Sequence, residues 1–230
     1  WIDLNKVDIP QADEQMHLLS NIIISSNLHR KPLPRFWLLP NNFKAAVVMT
    51  GDDHGTGITS DFFDDFITLS DDNNSPEDVQ NWTAIRGTSY IYDYTPITNA
   101  DTYEDLGFEI SIHVNTGCNV WTQASLESDY TEDLSNFITN FPNLNPPVTH
   151  RTHCIAWSDY VTQPTVEVNH GIRLDLNYYY WPERWLLDRP GMFAGSGMPM
   201  RFADLDGSLI DCFQVTTQFT DESGQTFPLH

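Results

Sequence analysis

Positive charge is scarce in this chain. Eleven lysines and arginines stand against 32 aspartates and glutamates, giving a net charge of −21 and a pI near 4.3. Such a surface repels phosphate backbones, so nucleic acid is excluded as a partner. The acidity itself reads as solubility through self-repulsion. The carboxylates are scattered and lack EF-hand spacing. Cysteine is nearly absent: Cys118, Cys154 and Cys212 permit at most one internal disulfide, and without a CxxC pair a cysteine-rich zinc site is not expected. Long hydrophobic runs are also missing. Nothing approaches the roughly 18 apolar residues of a membrane span, and Ile22-Ile23-Ile24 is short with polar flanks. The first residue is Trp1, not an initiator, so targeting signals cannot be read.

What is present fits one globular domain. Hydrophobic residues make up 40% of 230 positions and aromatics 13%, enough to bury a sizeable core, and a single α/β barrel is within range. Residues 1–42 read as an N-terminal lead-in with a short apolar run between Pro32 and Pro40, and the domain proper spans 43–230. Strand patterns recur at 43–50, 88–94, 108–114, 148–155, 172–177 and 208–219. In the run at 43–50, small and apolar residues extend from Ala45 to Thr50, which reads as a strand buried on both faces. Ser75-Pro76-Glu77-Asp78 carries a helix start, with a capping serine, proline at the first position and acids in the first turn. Apolar residues at 126, 130, 134, 137, 138 and 141 predict a helix closed by Pro142. Strands alternating with helices predict βαβ units in a parallel sheet or barrel. Residues 181–202 read as a long Pro, Gly and Met-rich loop.

Ionisable groups gather at the strand ends. Thr50-Gly51-Asp52-Asp53-His54-Gly55 follows the first strand. Two carboxylates there are costly unless a cation offsets them, although Asp-Asp beside glycine is also ordinary turn chemistry. Glu109-Ile110-Ser111-Ile112-His113 ends another strand on histidine, His150-Arg151-Thr152-His153-Cys154 a third, and Arg173-Leu174-Asp175 a fourth. In α/β sheets and barrels, chemistry sits at such C-terminal ends.

These residues, in this order, resemble the motifs of the polysaccharide deacetylases of carbohydrate esterase family 4. The resemblance covers about residues 43–181 and implies a distorted, incomplete (β/α) barrel. It makes Asp52 the general base, Asp53 a metal ligand, His113 a second ligand and Arg151 the residue that orients the base. It pairs Asp175 and Trp181 with the fourth motif. The family's second motif has another histidine four residues on, where this chain has Gly117. His153 is the expected replacement ligand and His54 the alternative. The family's late strand-end histidine, its general acid, is not found, and its strand is expected beyond His230, with Asp175 as its partner. The implied cofactor is a divalent metal, with zinc favoured by nitrogen and oxygen donors. The implied partner is a polysaccharide or oligosaccharide, deacetylated by metal-assisted hydrolysis in a secreted, periplasmic or cell-surface setting. Tyr179 and Trp181, in the aromatic run Tyr178 to Trp185, are the candidate sugar contacts. If His113 and His153 share one metal, Cys118 and Cys154 come near enough for a disulfide, and two free thiols fit equally well. Two other readings stand beside the deacetylase: a glycan-binding module with a degraded site, and an acidic calcium-binding domain.

Overall fold

Parallel strands joined by helices dominate the computed structural model, which describes residues 11–29, 43, 46–154, 159–177 and 199–215. In chain order the elements are α1 (Gln11–Ser26), β1 (Met49–Asp53), α2 (Thr59–Leu69), α3 (Pro76–Gln80), β2 (Gly87–Ile91), α4 (Ala100–Asp105), β3 (Glu109–Ile112), α5 (Gln123–Asn140), β4 (Thr149–His150), α6 (Thr162–Asn169), β5 (Leu174–Asp175), β6 (Met200–Ala203) and β7 (Leu209–Gln214). Strands β1, β2 and β3 form one parallel sheet in that order. A second sheet runs β4-β5-β7-β6, with only β6 antiparallel. The two meet beside β3 and β4, where a parallel bridge joins Asn115 to His153 and the His153 amide donates to the Val114 carbonyl over 2.8 Å. Strand order thus follows chain order from β1 to β5, as helix-linked parallel strands produce. The α/β class is as expected. Among the described residues the strands close no barrel, and no helix is long and apolar enough to cross a membrane.

The strands curl. Tyr90 on β2 reaches across β3 to Thr149 on β4, hydroxyl to hydroxyl at 2.8 Å. Arg151, just past β4, reaches back to Thr50 and Asp52 on β1. One face is therefore concave and partly polar; there the Glu109 carboxylate accepts from Thr88 at 2.7 Å and Thr149 at 2.9 Å. The other face is covered by helices. Phe63 and Phe66 of α2, and Leu126, Tyr130 and Phe137 of α5, pack with Ile91, Ile110 and Ile112 in one core. Each fully buried side chain of this kind stabilises the fold by about 1.5–3 kcal/mol.

Local chemistry explains the boundaries. Ser75 caps α3 as expected: its hydroxyl accepts from the Asp78 amide and the Asp78 carboxylate accepts from the Ser75 amide. Thr122 and Ser125 form the same reciprocal cap on α5, whose buried residues 126, 130, 134 and 137 are those of the apolar period. The strand pattern at 88–94 stops at Ile91 because Tyr92 to Thr95 turn back, with the Thr95 amide donating to the Tyr92 carbonyl at 3.0 Å. The expectation for 43–50 is corrected. Its described strand begins only at Met49, and Val47 and Val48 are 79% and 63% exposed. Among the described residues β1 pairs with β2 alone, and none covers Val47 and Val48. Part of the expected 181–202 loop is likewise strand: β6 turns into β7 through Gly207 at φ +85°. The run between Pro32 and Pro40 lies outside the described residues.

Candidate metal centre

Successive side chains on a strand point to opposite faces. Register places Asp52 beside Tyr90 and Ser111, on the concave face. Asp53 aligns with Ile91 and Ile112, on the helix face. The adjacent carboxylates are thereby separated by a single step along the chain. Two-residue steps extend the concave row past each strand end: Asp52 to His54, Tyr90 to Tyr92, Ser111 to His113, and Thr149 through Arg151 to His153.

These side chains converge. One ligand atom each from Asp52, His54 and His113 lies within 4.8 Å of the others. The rings of His54 and His113 are 5.2 Å apart, and His153 stands 4.9 Å from His54 and 5.5 Å from His113. Tyr92 lies 5.6 Å from all three imidazoles. Arg151 donates to Asp52 Oδ1 at 3.0 Å and to Thr50 at 2.6 Å, and its guanidinium sits 5.4 Å over the Tyr90 ring. The expected pairing of Arg151 with Asp52 is present.

His113 has the bonding pattern of a metal ligand. Its Nδ1 lies 2.8 Å from the Arg151 carbonyl, which can only accept, so the hydrogen sits on Nδ1 and the lone pair on Nε2. Nε2 is enclosed and has no hydrogen-bond partner. Burial pushes the imidazole down to about 4, outweighing the raising effect of Asp52, so it is neutral at pH 7. Burial and the neighbouring His54 also lower His153. Its Nδ1 is 3.2 Å from Asn115 Oδ1. A divalent cation fits this donor set of imidazoles and one carboxylate.

Asp53 is placed differently from the expectation that it ligates metal. Its Oδ1 accepts from the Thr56 amide and hydroxyl and the Gly57 amide; its Oδ2 accepts from the Thr59 amide and hydroxyl, all at 2.8–3.1 Å. Ile58 offers α2 no side-chain cap, and Asp53 anchors that helix start from the preceding strand. A carboxylate saturated by five donors has no lone pair directed at a metal. Burial raises its pKa, but the donated hydrogen bonds prevail and lower it overall.

Asp175 also departs from its expected role. It pairs in register with His150, on the helix side of the sheet, one step away from Arg151. There it joins a fully buried network with Glu167, Tyr130, Gln163 and Asn177. Glu167 Oε1 receives Gln163 at 3.0 Å, Tyr130 at 3.2 Å and Asn177 at 3.2 Å. Burial drives both carboxyls up, Glu167 to about 7 and Asp175 well above the usual carboxylate range, with the Glu167 charge adding to the rise of Asp175. His150, pushed down to about 3 by burial, stays neutral 3.0 Å from Glu167.

Cys118 and Cys154 form a disulfide across the ends of β3 and β4, beside His153, and Cys212 is free and buried. Tyr179 and Trp181 lie outside the described residues. The sequence reading missed Tyr92 and Glu167 and ranked His54 second. Alternation at 52/54 and 151/153 was the signal for the concave row; Glu167 carried none, since α6 is short and includes Pro164. Compared with protein-family models, curated proteins and solved structures, the chain matches none.

Proposed function

We propose that the protein is a metal-dependent hydrolase of the polysaccharide-deacetylase type, on an incomplete (β/α) barrel, that removes acetyl groups from a polysaccharide or oligosaccharide. The observation that carries this reading is the convergence of Asp52, His54 and His113 at successive parallel strand ends, with Arg151 on Asp52. His54 and His113, with His153 beside them, would hold a divalent metal, with zinc favoured by the donors. Bound there, the metal would polarise the acetyl carbonyl and acidify a water molecule. Asp52 Oδ1 is fixed by Arg151, and its second oxygen is placed to take the proton of the attacking water. His113 is kept neutral and aimed by the Arg151 carbonyl. The Cys118–Cys154 disulfide supports an oxidising setting, as in secreted, periplasmic or cell-surface proteins.

A second reading has its own observation. With Asp53 consumed by helix α2, one carboxylate stands where the family motif uses two. If Asp52 ligates the metal, neither carboxylate of the strand-end pair is left to act as base, and the domain holds glycan without cleaving it. Metal content and acetate release in wild type and Asp52→Ala separate the two. The hydrolase reading expects acetate release from acetylated oligosaccharides, lost in the variant while metal stays bound. Loss of metal in the variant, with no turnover by wild type, establishes the binding module instead.

A further inference from the structure

Next to the imidazoles the chain carries an aromatic shelf. Tyr94 is 66% exposed and stacks on Tyr92, with centroids 5.3 Å apart and planes at 29°. Tyr92 is 7% exposed and touches all three imidazoles. The shelf is held in place on several sides. The Thr95 amide closes the turn onto the Tyr92 carbonyl, Asn140 donates to the Asp93 carbonyl at 2.9 Å, and buried Thr95 reaches the Asp53 carbonyl at 3.4 Å. Gly55, at φ +84°, makes room for the ring: a Cβ there would stand 2.7 Å from Tyr94 Cε2. A rigid aromatic face offered to solvent loses little conformational freedom on binding.

We propose that Tyr94 is a sugar-stacking subsite, holding the unit next to the one whose acetyl group meets the metal centre, on a neutral or amino-sugar chain. The inference rests on the deacetylase reading and adds the subsite and the class of chain. Sugar rings have apolar faces that stack on aromatics. The spacing supports the assignment, because Tyr94 lies one ring layer beyond Tyr92, itself in contact with the imidazoles. Charge selects the chain. Between residues 46 and 154 the only lysines or arginines are Arg86 and Arg151. Arg151 is bound to Asp52, and Arg86 is turned to the Leu106 carbonyl. With a net charge of −21 on the chain, a uronate chain is repelled and an amine-bearing one is accommodated.

The test uses the zinc-loaded chain, an N-acetylglucosamine pentamer and the small ester p-nitrophenyl acetate. Tyr94→Ala should lower kcat/KM on the pentamer about tenfold more than on the ester, mainly through KM, and weaken pentamer binding by calorimetry about tenfold. Tyr94→Phe should restore most of both. Equal losses on pentamer and ester, or unchanged pentamer affinity, overturn the subsite. A wild type that binds the pentamer without releasing acetate sinks the deacetylase reading, while the affinity of Tyr94→Ala still decides the subsite. A wild type that does not bind the pentamer, or prefers a uronate oligomer, overturns the proposal.

Discussion

The two faces of the same strand ends carry the same residue types and use them in opposite ways. On the helix face, Asp53 is saturated by backbone and threonine donors, and Glu167 and Asp175 are held in a buried network with Tyr130, Gln163 and Asn177. On the concave face, among the described residues, Asp52 is held at one oxygen only and His113 Nε2 has no partner. His150, on the helix face, also has an unpartnered Nε2 and is as buried as His113, but only His113 converges with other ligand atoms, those of Asp52 and His54. The lesson is that residue type and strand-end position do not distinguish a structural carboxylate from a reactive one. Unsatisfied bonding capacity together with convergence on neighbouring ligand atoms does.

The contrast can be broken most sharply at Asp52 and Asp53. Asp52→Ala should reduce acetate release by about a thousandfold, the scale of a lost general base, with the urea midpoint nearly unchanged. Asp53→Ala should do the reverse in kind. It orphans the start of α2 and should cost about 3 kcal/mol of stability, measured by urea unfolding. Comparable unfolding curves for both variants would erase the distinction.

His113 and His150 give the next test. His113→Ala should weaken zinc affinity by more than the roughly 10–100-fold that loss of a ligand's hydrogen-bond partner costs, read by competition with a chelator. His150→Ala should leave zinc affinity within a few-fold and lower stability, because it opens the buried network. A metal loss of equal size in both would remove the assignment of faces.

The smallest effect is a pH slope. Glu167 has a folded pKa raised to about 7 from an ordinary 4.5, so the native state binds more protons between those values. Its contribution is fully present below about pH 4.5 and is lost as pH rises toward 7. Neutral, buried His150 and His113 act oppositely, since unfolding lets them take up protons below about 6.5. Asp53, with its pKa lowered, contributes above 3.8 and loses that contribution as pH falls through its folded value. Glu167→Gln should therefore remove a falling component, so its thermal midpoint should rise more from pH 5 to 7 than that of wild type. Parallel pH profiles would remove the raised pKa from Glu167.

Helix starts and strand positions were legible because their causes are local. Ser75 and its Asp78 partner, or the apolar period from Leu126 to Phe137, are written within a few residues. Helix α2 was not, because its anchor is a strand residue six positions before Thr59 rather than an adjacent cap. The exposure of Val47 and Val48 was hidden for a related reason: apolarity marks a capacity for burial, and neighbouring elements decide whether it is used.

The sequence by itself determined that this is an acidic α/β chain with titratable groups at successive strand ends, and its family resemblance implied the pairing of Arg151 with Asp52. Only the tertiary structure decided which of two adjacent aspartates faces the imidazoles and which anchors a helix. A strand's two-residue alternation divides such a pair, but the division acquires meaning only when sheet curvature makes one face concave and helices seal the other.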